Sequence, residues 1–226
     1  MAAEIALVTA NMGGIDPPFP LPEASGVASF YYTDRPGPAP MGWTKVPVSA
    51  PENPRLASKF FKCQIHRLPE TARCAWLAWA DASFQFHSLA FLPDWAPVIE
   101  EDRALFVPHP DRATVAEEYD YVLRQIAAGN PYLSARYTPG PLERERARFG
   151  SRYDLSALPL LSGGMWMLRR GERSDAFLDA WWACVNEFSV FDQAAIPPLL
   201  ADHGIRPFRL GVNLYKNPHF TRVSHA

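Results

Sequence analysis

The chain has 226 residues, 48% of them hydrophobic, which is enough for one large core or two small ones and excludes a disordered or collagen-like chain. Its 22 lysines and arginines and 24 aspartates and glutamates are interspersed and give a formal net charge of −2. No basic face points to nucleic acid, no acidic tail to a solvating segment, and no apolar stretch is long enough for a membrane span.

A single α/β domain over residues 1–226 is the expected organisation, and a small molecule or another protein the expected partner. Residues 1 to 10 lack the basic and long apolar regions of a leader and read instead as the first strand, over 4 to 10. Cys63, Cys74 and Cys184 are too far apart for a metal motif and read as buried small hydrophobes. A cytoplasmic, reducing location is therefore expected.

Asn11, Met12, Gly13 and Gly14 follow the first strand. Glycines there let a backbone approach a ligand, but an ordinary tight turn explains them equally well, and no GxGxxG is present. Proline makes up 23 of the 226 residues, about twice the usual share of roughly 5%. The clusters at 17 to 22, 36 to 54 and 139 to 141 predict extended loops of the kind that build binding sites.

Residues 27 to 33 are rich in aromatic and β-branched types and predict a second strand with Asp34 at its exit. Residues 43 to 48 predict a short edge strand, because Pro47 cannot sit in a sheet centre. The helix predicted over 55 to 67 has Leu56, Phe60 and Cys63 as its buried stripe, with Arg55, Lys59, Lys62 and His66 on an adjacent face. That basic stripe is either a solvated face or a phosphate-binding one.

Residues 75 to 80 form a continuous apolar run, as a strand covered on both faces requires, and Asp81 stands where it ends. Ligands of open α/β sheets bind at the carboxyl ends of the strands, so Asp81 can meet a metal or polar ligand; a turn or cap role is the plainer alternative. Residues 92 to 99 read as a short helix or loop and 104 to 107 as a strand. Thr114 and Glu117 make a capping box opening a helix with Val115, Tyr119, Val122 and Ile126 inward. His109 and Arg112, just before that helix, suit either an anion site or a structural loop.

Residues 139 to 152 are polar and predict a solvated segment or a lid. Within the apolar run 158 to 168, Gly163 and Gly164 suggest close passage of a ligand or another backbone. Ser174 is the expected N-cap of a helix burying Phe177, Trp181, Cys184, Val185 and Phe188. A short helix is expected from Phe191, with Pro197 and Pro198 disturbing it and Asp192 at its start as cap or catalytic group.

In order along the chain, Asn11 with Gly13 and Gly14, Asp34, Lys59 and Lys62, Trp79 with Asp81 and Ser83, His109 with Arg112, Ser162 to Gly164, Trp181 with Trp182, and Asp192 with Gln193 resemble the GT-A-fold glycosyltransferases. The likeness is to the glycosyltransferase-like domain family of plant mucilage and pollen proteins and, more distantly, to family 8 glycosyltransferases. It spans about residues 5 to 200, and its weight lies in the order of short motifs.

The resemblance implies a mostly parallel, Rossmann-like sheet flanked by helices and a transferase moving a sugar from a nucleotide-diphosphate donor, such as a UDP-sugar, to a glycan, lipid or protein acceptor. It places Thr9, Asn11 and Asp34 on the nucleoside, Asp81 on a cation bridging the diphosphate, with Lys59 and Lys62 adding to its stabilisation, and Gly163, Gly164 and Asp192 at the border of the donor sugar and acceptor. His109, Arg112 and Gln193 complete the expected substrate- and nucleotide-binding set. Asp81 and Asp192 are the implied catalytic pair. The implied cofactor is Mn²⁺ or Mg²⁺, held by Asp81 with help from His219. Ser83 stands where metal-dependent members carry a second aspartate, and a catalytically silent nucleotide- or glycan-binding module is the alternative.

Overall fold

The computed structural model describes residues 4–14 and 18–223. Residues 1–3 of the predicted N-terminal segment and Pro17 of the first proline cluster lie outside them. The fold is mixed α/β, built on a seven-stranded sheet that is mostly parallel.

Strands β1 (Ile5–Asn11), β2 (Val27–Thr33), β3 (Thr44–Pro47) and β4 (Trp76–Ala80) run parallel in the order β3-β2-β1-β4. Beyond β4 come β7 (Leu161–Arg169), antiparallel to both neighbours, then β6 (Arg103–Pro108) and β8 (Arg206–Arg209). A separate ribbon pairs β5 (Phe84–Phe86) with β9 (Phe220–Arg222). As expected, β3 is an edge strand ending in Pro47, where a missing N–H costs no ladder bond in a sheet centre.

The continuous apolar runs have a simple cause. Successive side chains of a strand point to opposite faces, and both faces of this sheet are covered. From β1 and β4, Ala6, Val8, Leu77 and Trp79 enter one core, while Ile5, Leu7, Ala78 and Ala80 enter the other. The first core is roofed by helices α1 (Pro54–Cys63), α3 (Val115–Ala127), α5 (Pro139–Gly150), α6 (Glu172–Glu187) and α7 (Ile196–Asp202). The second is closed by the β5–β9 ribbon and by α2 (Phe91–Trp95). Helix α4 (Pro131–Ser134) is a single turn. Among the described residues no helix is long and apolar enough to cross a membrane.

Several local expectations differ from the structure. Residues 139–150 are a regular helix rather than a lid, because Leu142, Glu145 and Phe149 share one face and are buried against α3 and α6. Prolines 139 and 141 fall in its first turn, where the missing N–H has no intrahelical partner in any case. Helix α6 begins before Ser174, which is buried and donates its hydroxyl to the Gly171 carbonyl. Pro197 and Pro198 open α7 rather than disturbing a helix begun at Phe191, again by being placed in a first turn. The capping box of α3 forms as expected.

Helix α1 buries Cys63 and packs Leu56 against the core as expected, but it departs from the expectation at two positions. Lys62 is 2% exposed whereas Phe60 is 38% exposed and sits edge-on to Trp182. Of the basic stripe, Lys62 and His66 are buried, Lys59 is partly covered and Arg55 is exposed.

Candidate functional site

The burial of Lys62 follows from what lies beneath α1. Its Nζ is 2.7 Å from Asp192 Oδ2 and 3.8 Å from Asp81 Oδ1. The Trp79 and Trp181 rings lie 5.9 and 5.5 Å from it, so their faces add cation–π attraction while excluding water. One turn earlier, Lys59 Nζ is 2.8 Å from Asp192 Oδ1. Each carboxylate oxygen of Asp192 therefore has its own ammonium.

Burial alone would raise the Asp192 carboxyl, but Lys59 and Lys62 overcome it and hold the group well below the usual carboxylate range. For Lys59 burial works to lower the ammonium and the neighbouring Asp192 and Asp81 carboxylates raise it above its ordinary value. Trp181 Nε1 donates to the Asp192 carbonyl at 2.9 Å, tying that residue to α6.

Asp81 follows the last residue of β4, and its N–H donates to the Gly164 carbonyl at 2.8 Å. Its Oδ1 accepts from Trp79 Nε1 at 2.7 Å. These two side chains emerge on the same face because a strand repeats every two residues. The Asp81 side chain is 42% exposed, so its carboxylate is open to a ligand.

Gly163 and Gly164 lie in a bulge. Phe106 of β6 pairs with Trp166 but Val107 pairs with Ser162, which leaves residues 163 to 165 of β7 unmatched. A Cβ on Gly163 would stand 3.1 Å from Lys62 Nζ, and one on Gly164 would stand 3.1 Å from both Asp81 Oδ2 and Phe84 Cε2. The space these glycines leave is thus taken by the charged side chains of the site and by Phe84.

A cleft of about 190 Å³ opens over this group, at the carboxyl ends of β1 and β4 and under α1. Its charged lining is Arg55, Lys59, Lys62 and Arg136 against Asp81, a cationic excess in a chain of slightly negative net charge. Asn11, Ser58 and Tyr137 add polar groups, and Trp79 an aromatic wall. A second hollow of about 250 Å³, lined by Asn11, Tyr31, Thr33 and Arg35 among others, adjoins it through Asn11.

Of the residues singled out from the sequence, Asn11, Lys59, Lys62 and Asp81 line the cleft, with Asp192 and Gly163 directly behind the lysines. Asp34 is nearby but its carboxylate accepts from the Gly13 N–H at 3.1 and 3.2 Å, shaping the turn after β1. Thr9 is fully buried inside β1 and lines neither hollow.

Gln193 serves the scaffold: its Oε1 accepts from Gly163 N at 3.2 Å and its Nε2 donates to Glu118 Oε1 at 3.1 Å. Arg112 pairs with the same Glu118 and with the His109 ring. Burial, chiefly, pushes His109 down to about 4. His109 and Arg112 thus brace the start of α3 and reach the site only through Glu118 and Gln193.

The donor set around Asp81 does not fit a divalent cation. Ser83 is buried, and its carbonyl accepts from Val223. His219 lies at the other end of the β5–β9 ribbon, its carbonyl accepting from His87 and its ring against Phe91. Among the described residues there is no group of three His, Cys, Asp or Glu side chains suited to a metal. The nearest charge to Asp81 is instead the Lys62 ammonium.

Arg136 and Tyr137 are cleft residues that the sequence reading missed. They follow α4 and are held over α1 by the bond from Arg55 Nη1 to the Ala135 carbonyl, at 3.0 Å. No local pattern marks them. Trp79, named with Asp81 in the sequence motif, lines the cleft as its aromatic wall.

No family model matches the chain, and no curated protein matches it. The expected likeness to the plant mucilage and pollen family therefore has no family model behind it. Among solved structures the chain is similar to the crystal structure of mouse xyloside xylosyltransferase 1, apo form, with a TM-score of 0.46 and 6% identity over 93% of this chain and 85% of that one. At this similarity the likeness concerns the course of the chain and decides neither residues nor reaction.

Proposed function

We propose that the cleft binds a nucleoside-diphosphate sugar and that the protein is a glycosyltransferase. The observation that carries this reading is the convergence of Lys59, Lys62 and Asp81 on one cleft at the carboxyl ends of parallel strands. A diphosphate needs cations to meet its charge, and four basic side chains line this cleft. A hexose needs carboxylate acceptors for its hydroxyls, and Asp81 is the exposed one.

In the transfer the bond from the anomeric carbon to the diphosphate oxygen breaks, and its electron pair leaves on the diphosphate. The acceptor hydroxyl oxygen bonds to the anomeric carbon and gives up its proton. Ammonium groups fixed before the reaction stabilise the leaving charge without reorganising. Asp81 is the carboxylate on the cleft wall for a sugar hydroxyl or for the acceptor's proton. Asp192, with both oxygens occupied by lysines, holds those lysines in position.

The test is turnover of a panel of nucleotide sugars, measured as release of the nucleoside diphosphate. Asp81→Asn is expected to reduce the rate by at least about 100-fold in a protein that stays folded, because Lys62 keeps its closer pair with Asp192 and the amide oxygen can still accept from Trp79. Undiminished turnover in the variant would remove Asp81 from the reaction. Nucleotide binding without release from any donor would instead support the catalytically silent module.

A further inference from the structure

We infer that the Lys59 and Lys62 ammonium groups, set on Asp192, take the place of a divalent cation, so that nucleoside diphosphates bind this cleft independently of added metal. This rests on the functional reading above. An ammonium has three donors. Lys59, a quarter exposed, directs one to Asp192 at 2.8 Å and keeps others for phosphate oxygens, while Lys62, 2% exposed and 2.7 Å from Asp192, adds its charge from behind. Asp192 and Asp81 together balance the charge of the two lysines, so the net positive charge of the cleft comes from Arg55 and Arg136 of its lining.

The position of Lys62 argues against a metal on Asp81. Its Nζ is 3.8 Å from Asp81 Oδ1, which already accepts from Trp79, so a dication on this carboxylate would meet a fixed positive charge at close range. Lys62 cannot swing aside, being 2% exposed and hemmed by Trp79, Trp181 and the Gly163 bulge. The glycine at 163 is what makes room for that ammonium, since a Cβ there would stand 3.1 Å from it.

Calorimetric titration of UDP, GDP, ADP and CDP, each in excess EDTA and in excess Mn²⁺, tests this. The tightest binder is expected to have the same Kd in both buffers within about threefold, and Lys59→Met to weaken it about tenfold or more in both. Lys59→Met is chosen because Lys59 is a quarter exposed and Asp192 keeps the Lys62 ammonium in the variant, whose unfolding transition is measured alongside to show that it is folded. Binding that appears only with Mn²⁺, or tightens more than about tenfold with it, overturns the inference and leaves the functional reading standing. Metal-independent binding unaffected by Lys59→Met overturns the assignment to the lysines. No binding of any nucleoside diphosphate in either buffer overturns the functional reading and the inference together.

Discussion

Asp192→Asn is expected to lower folding stability by about 3–5 kcal/mol, the range for removing one partner of a buried ion pair and leaving the other charge uncompensated. The loss is large because Asp192 neutralises a lysine that is 2% exposed, with a second ammonium at its other oxygen. Urea unfolding of the wild type and the variant measures it. The pH dependence has a definite sign. The folded carboxyl is held below its ordinary 3.8, so its contribution is fully present above that value and is lost as the pH falls through the lower, folded one. The gap between the two proteins should therefore be constant at neutral pH and narrow only below about pH 4. A variant as stable as the wild type at neutral pH would mean that the lysines are not held as described.

Glu145→Gln is expected to act in the opposite direction, stabilising the protein at alkaline pH. Burial is the main reason that Glu145 is pushed up to about 7 from its ordinary 4.5, and the bond that Cys184 Sγ donates to its Oε1 only partly offsets it. Here the folded value is raised, so the neutral carboxyl's contribution is fully present below pH 4.5 and is lost as the pH rises through 7. A shift of that size corresponds to about 3 kcal/mol. The substituted amide stays neutral throughout, so the variant's stability relative to the wild type should grow by about 3 kcal/mol between pH 4.5 and about pH 8. Denaturant melts across that range check it, and a difference independent of pH would show that Glu145 does not change its protonation in the folded state.

The strands were legible because a sheet covered on both faces leaves a mark that survives without context. Residues 75 to 80 have no periodicity because both faces need apolar cover, and the carboxylate at the end of such a run has few places to go other than the strand-end crevice. The lysines of α1 were legible as a stripe but not as buried groups. Nothing local shows that Asp192, more than 120 positions later, would lie beneath them.

Helix α5 was obscured for the converse reason. Its anchors Leu142 and Phe149 are a full seven residues apart, and arginines and glutamates fill most of the interval. The same limit explains Arg136 and Tyr137, which enter the cleft through a contact with α1. It also explains His109, Arg112 and Gln193, whose residue types suit a phosphate site but whose partners turn out to be one another, Glu118 and the bulge of β7.

The most direct test is a crystal of the protein soaked with the nucleoside diphosphate that binds it most tightly. The predicted result is a diphosphate within ion-pair distance of Lys59, beside Asp81 in the cleft under α1. A nucleotide seated elsewhere on the protein, with this cleft left empty, would contradict the account.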